Sequence, residues 1–225
     1  MPEQEADIFR VPDKPRSEEC NKSHRILSRG YDAANEFITQ FREVRKDSGR
    51  GSVKDTHQDI LRAMLVFACA GFDSCLKRLL EDALQAVINA DPKAEETFTD
   101  TVKRKLPDIE RSRDLLAKVL TAKNPREQLV REVLADLLGQ SLQSVSQYSR
   151  VLAAFNVQMP DKKKLASLKE AFEARNYIIH EMDIDFSKEK RSRRQRNEDV
   201  MTEMTKTVLA TASELLVAVD KKLKD

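Results

Sequence analysis

Three side chains near position 180 combine acid–base and electrostatic chemistry. Arg175, Asn176 and His180 lie in one stretch, Glu173-Ala174-Arg175-Asn176-Tyr177-Ile178-Ile179-His180. Histidine titrates near neutrality and can move a proton. Arginine keeps its charge and can grip two phosphate oxygens in a bidentate geometry. The pair suits cleavage of RNA by its own 2′-hydroxyl, which needs proton transfer and stabilisation of the negative charge growing on phosphorus. That chemistry needs no metal. The sequence has no Cys/His cluster at ligand spacing, no Gly-rich phosphate loop and no nucleophile motif, so no cofactor is expected.

A helix from about Lys162 to Met182, opened by Met159-Pro160-Asp161, must position these residues. At about 100° per residue, Leu165, Leu168, Phe172 and Ile179 fall within about 60° of one another and define a stripe expected to be buried. Arg175 lies beside one margin of the stripe, Asn176 beside the other, and His180 a little beyond Asn176. A gap of five residues turns about 140°, so one helix cannot easily aim Arg175 and His180 at the same phosphate. A two-fold homodimer could, by setting Arg175 of one chain near His180 of the other. A purely structural use of the same residues stays open. Arg175 would then pair with a carboxylate of the central helix, Asp73 being one candidate, and His180 would cap the helix end. Arg50 and His57 have similar spacing, but across a Gly/Ser-rich loop without packing context.

The remaining elements also read as helices. One should run from Ser23, as N-cap, to about Lys46, with Leu27, Tyr31, Ala34, Ile38 and Phe41 in steps of four and three. Asp47 to Ser52 breaks it. From about Asp55 to Asn89 a wide apolar stripe marks a central core helix. Asp91-Pro92, Pro107 and Asn124-Pro125 punctuate two short helices and a longer one interrupted near Gly139, and a further helix covers about Leu142 to Phe155. The last should span about Glu198 to Leu223. The first 22 residues are polar, proline-bearing and aperiodic, and read as a flexible tail before a single helical domain over 23–225.

Composition agrees with an all-α protein: among 225 residues, 35% are charged and only five are glycine, while 40% are hydrophobic, enough for a real core. No basic-then-apolar leader and no apolar run of about 20 residues is present, so a cytoplasmic protein without membrane contact is expected. Cys69 and Cys75 lie in an apolar helical run, where reduced cysteine acts as a small hydrophobe. His24 and His57 should be exposed near helix starts, and Lys162-Lys163-Lys164 should be surface. The net charge of +2 is small, but a basic loop at about 186–197 concentrates Lys188, Lys190, Arg191, Arg193, Arg194 and Arg196 against one acid, Glu189. Beginning eight residues after His180, it could guide an RNA backbone into the site. Otherwise it is a solvated, mobile run. Either way, neutralising its arginines should leave folding intact.

The string from Glu173 to Asp183, with its Arg-Asn-x-x-x-His core and His-Glu-x-Asp exit, closely resembles the signature of HEPN domains. The order of elements extends the resemblance over most of the chain: a long apolar second helix, the motif helix, a variable loop and a final helix. It implies a HEPN-like helical bundle and a metal-independent endoribonuclease, active as a homodimer whose motif helices face each other. Arg175 and His180 match the family's two functional positions, Asn176 the polar residue after the arginine, and Asp183 an acidic position often seen after the histidine. A toxin or antiviral defence role follows by family analogy alone, with an antitoxin or another defence-system protein as partner. HEPN partners of small nucleotidyltransferases usually carry tyrosine two residues after the histidine. Met182 stands there, which argues against control by nucleotide attachment at that position. The rival readings are a non-catalytic HEPN-like module that binds RNA or a partner protein, and a structural helical scaffold.

Overall fold

The computed structural model describes residues 8–47, 54–105, 109–189 and 192–224. Its described residues form eight helices: α1 (Asn21–Asp47), α2 (Asp55–Ala90), α3 (Pro92–Lys105), α4 (Ile109–Leu120), α5 (Pro125–Leu138), α6 (Val145–Ala154), α7 (Lys162–Glu181) and α8 (Glu198–Lys222). The boundaries follow side-chain capping. Asn124 accepts from the Glu127 amide before Pro125, Ser144 accepts from Gln147, and Asp161 accepts from Lys164. The interruption expected near Gly139 is the end of α5. None of these helices is long and apolar enough to cross a membrane.

The chain divides into two compact units, each with its own apolar residues. One comprises Met1–Lys14, His24–Cys75 and Pro160–Glu214, and it carries the motif helix. Within it Leu27, Ile38 and Phe41 of α1, Leu61, Leu65 and Phe72 of α2, Leu168 and Phe172 of α7, and Val208 and Leu209 of α8 are buried. The Phe72 and Phe172 rings meet edge-on at 5.3 Å, tying α2 to α7. The other unit comprises Pro15–Ser23, Leu76–Met159 and Leu215–Asp225. There α3 packs against α5 and α6, and α4 against α5.

The expectation of a flexible tail over 1–22 needs correction where it falls on described residues. Phe9 is only 1% exposed, and its amide and carbonyl exchange hydrogen bonds of 3.0 and 2.8 Å with the Asn35 side chain. In the other unit the Asp220 carboxylate accepts from the Arg16 and Ser17 amides and the Ser17 hydroxyl. Anchoring by single side chains leaves no periodic signal, so composition alone misreads it. Helix α1 also begins at Asn21, with Ser23 buried inside it rather than capping it. His24 is half-buried and bonded to the Pro12 carbonyl at 2.9 Å, not exposed.

Helices α1 and α2 approach closely at Gly30 and Gly71. A Cβ on Gly71 would sit 3.5 Å from the Gly30 Cα, an ordinary contact against backbone, which cannot swing aside as a side chain can. Gly71→Ala should therefore stabilise the protein by about 0.5–1 kcal/mol through helix propensity. Gly71→Leu should destabilise it by about 1–3 kcal/mol through overpacking. Urea unfolding of the two variants reads the change of sign.

Candidate functional site

Helix α7 buries Leu168, Ala171, Phe172 and Ala174, whereas Leu165 and Ile179 of the expected stripe are only half-buried. The two alanines shift the packed face. On a wheel of about 100° per residue, the four buried positions span about 160°, and Arg175 falls near the middle of that arc rather than at its margin. Arg175 is half-buried, while Asn176 and His180 are exposed. Arg175 Nη1 donates to Asn176 Oδ1 at 3.0 Å. Its Nε is buried with no acceptor among the described residues. The suggested pairing with Asp73 of α2 is not the bond that Arg175 makes. Burial pushes the Cys69 thiol of α2 up to about 12 against the pull of the Arg175 charge.

The end of α7 is unusual. Met182 and Asp183 both have left-handed backbones, with φ of 50° and 62°. Such conformations cost non-glycine residues roughly 1–2 kcal/mol each. Both amides donate to the Tyr177 carbonyl, that of Asp183 at 2.8 Å. The Asp183 side chain then turns inward and is fully buried. Arg62 Nε of α2 donates to its Oδ2 at 2.8 Å. Arg196 grips the same carboxylate with Nε at 2.8 Å and Nη2 at 2.5 Å. Burial alone would raise the Asp183 carboxyl, but the hydrogen bonds from Arg196 and Arg62 outweigh it and hold the group below the usual carboxylate range.

Arg62 uses the rest of its guanidinium on the start of α2 and on the returning loop. It donates to the Asp55 carbonyl and carboxylate, to Asp59 and to the Arg194 carbonyl, at 2.9–3.2 Å. Arg193 bridges the same acids, reaching Asp55 at 2.9 Å and Asp59 at 2.6 Å, and its Nε donates to the Met182 carbonyl at 3.1 Å. Arg194 lies 4.0 Å above the Tyr177 ring of α7 and donates to the Ile184 carbonyl. Its backbone amide donates to the Asp183 carbonyl at 2.8 Å, and a single bridge joins Ile184 to Arg193.

The loop expectation is thereby corrected for the residues that are described. Arg193, Arg194 and Arg196 are folded inward against carboxylates, carbonyls and an aromatic ring, and are not a solvated run whose neutralisation would spare the fold. Lys188 is exposed and pairs with Asp185 at 3.3 Å. Lys190 and Arg191 lie outside the described residues. Sequence reasoning missed Arg62, Asp55 and Asp59. Their signal was present as two acids and an arginine at steps of four and three, one face of the first turns of an otherwise apolar helix.

Removing the Asp183 charge should leave the Arg196 guanidinium without its carboxylate and Arg62 with only Asp55 and Asp59, so Asp183→Asn should destabilise the protein by about 3 kcal/mol at pH 7. A depressed carboxyl contributes its stability fully above the unfolded value of about 3.9 and loses it as pH falls through the folded value. The gap between wild type and variant in urea unfolding should hold down to about pH 5 and narrow below about pH 4. A gap independent of pH would leave Asp183 a steric role only.

No protein-family model, curated protein or solved structure matches this chain.

Proposed function

We propose that two copies of this chain form a metal-independent endoribonuclease of HEPN type. One observation carries the reading: Arg175 sits in the packed face of α7 with a buried Nε and no carboxylate partner among the described residues. A half-buried guanidinium left unneutralised is costly, and an incoming phosphate would supply the missing anion. Asn176, the next residue, and His180, about one and a half turns further along the same helix, are exposed, and Tyr177, Met182 and Phe186 expose apolar surface beside them. Such a rim suits a facing protein surface.

In this reading each composite site takes Arg175 from one chain and His180 from the other. The 2′-oxygen attacks phosphorus, its proton passes to a His180 imidazole, and Arg175 holds the non-bridging oxygens as their charge grows. The P–O5′ bond breaks as the 5′-oxygen takes a proton from a His180 imidazolium, giving a 2′,3′-cyclic phosphate and a 5′-hydroxyl. Asn176, already bonded to Arg175, orients the guanidinium or the substrate. The role in toxin or antiviral defence, and an antitoxin or defence-system protein as partner, belong to the same proposal by family analogy.

Purified protein incubated with mixed RNA in EDTA should cleave it and migrate as a dimer in light scattering. His180→Ala and Arg175→Ala should each lower cleavage by at least about a hundredfold at matched helicity and dimer content, and Asn176→Ala by less. A folded, dimeric His180→Ala protein that cuts as fast as wild type would leave only a non-catalytic HEPN-like module binding RNA or protein.

A further inference from the structure

We infer that the basic loop after α7 is a clamp, in which Arg193, with Arg62 and Arg196, positions His180 by holding the left-handed exit at Met182 and Asp183. Only the kinetic part of this inference rests on the ribonuclease reading. Consecutive left-handed residues that are not glycine persist where their surroundings over-determine them. Here both strained carbonyls are taken by the loop, Met182 by the Arg193 guanidinium at 3.1 Å and Asp183 by the Arg194 amide at 2.8 Å. The Asp183 carboxylate is gripped by Arg62 and Arg196. Arg193 is in turn anchored on Asp55 and Asp59 at the start of α2.

His180 lies two residues before this exit. The Met182 and Asp183 amides both close on the Tyr177 carbonyl, so the last turn of α7 ends where the clamp makes it end. Released, that turn could extend or fray, and each residue gained or lost swings side chains by about 100°. Charge accounting separates a clamp from an RNA track. Asp55, Asp59 and Asp183 face Arg62, Arg193 and Arg196, so these guanidiniums are already matched inside the protein.

The test is Arg193→Gln in the full chain, read by NMR of carbon-13-labelled histidine and by cleavage kinetics. Only three histidines contribute signals. The His180 resonance should move while that of His24, which bonds the Pro12 carbonyl, stays in place. Turnover should fall about ten- to hundredfold, because small misplacements of a reacting group cost that much. RNA affinity and its salt dependence should stay as in wild type. Arg193→Lys keeps the charge facing Asp55 and Asp59 but lacks the fork that also reaches Met182, so it should show the same changes to a lesser degree. It decides the matter if the glutamine variant loses helicity. An unmoved His180 resonance in the folded variant overturns the clamp. So does weaker RNA binding with a flattened salt slope at unchanged turnover, which would make the loop an RNA track. Wild-type protein that cuts no RNA would defeat the ribonuclease reading, and the resonance comparison would still decide the clamp.

Discussion

The buried carboxylate of Asp183 is the point on which the motif region depends. Its full burial among Arg62 and Arg196 would be prohibitive for an isolated charge, because desolvation of an ion exceeds any single weak contact. Bidentate geometry from Arg196 and a third bond from Arg62 offset that cost together. The same carboxylate belongs to a residue with a left-handed backbone. One interaction thus fixes three segments at once: the start of α2, the end of α7 and the loop that leads into α8.

A second constraint comes from small side chains. Ala171 and Ala174 share the packed face of α7 with Phe172 and Leu168. Side chains this short allow close packing around a neighbouring guanidinium stem, and arginine stems readily cover apolar surface. The result is an arginine whose charge emerges at the rim of its own packing face, next to Asn176. The inward-folded arginines of the loop differ in kind. They have carboxylates, whereas Arg175 has an amide oxygen and a buried donor without an acceptor. In a chain with nearly balanced charges, that contrast distinguishes a group available to an anion from groups that hold the fold.

Much of the architecture was legible in the sequence because it rests on periodicity and punctuation. The apolar stripe between Asp55 and Asn89, the Asp-Pro and Asn-Pro boundaries and the opening at Met159-Pro160-Asp161 mark local choices of the backbone, and the helices begin and end near them. The position of Arg175 was only half legible. Large apolar residues dominate a wheel, so the alanines that recentre the buried face went unweighted. The fate of the basic loop was not legible at all. Its partners Asp55, Asp59 and Arg62 lie more than 120 residues away in the chain, and long-range ionic pairing leaves no mark on composition. Local charge density then imitates a nucleic-acid track. The same blindness hid the docking of Phe9 onto Asn35.

In the proposed dimer the two constraints meet. A residue gap that turns about 140° on one helix forces Arg175 and His180 into different sites, each completed by the other chain. Arg175 is held by packing along the middle of α7, but His180 belongs to its last turn, where helices fray most easily. An unclamped end would therefore blur one half of every composite site while leaving the other half sharp. Two-fold symmetry would repeat that defect in both sites, since each His180 serves the neighbouring chain. A rigid, charge-locked exit directly after the histidine is the physical answer to that asymmetry. It also accounts for why the network of Arg62, Arg193 and Arg196 with Asp55, Asp59 and Asp183 stands beside the candidate catalytic group and, among the described residues, shares no ion pair with Arg175, Asn176 or His180.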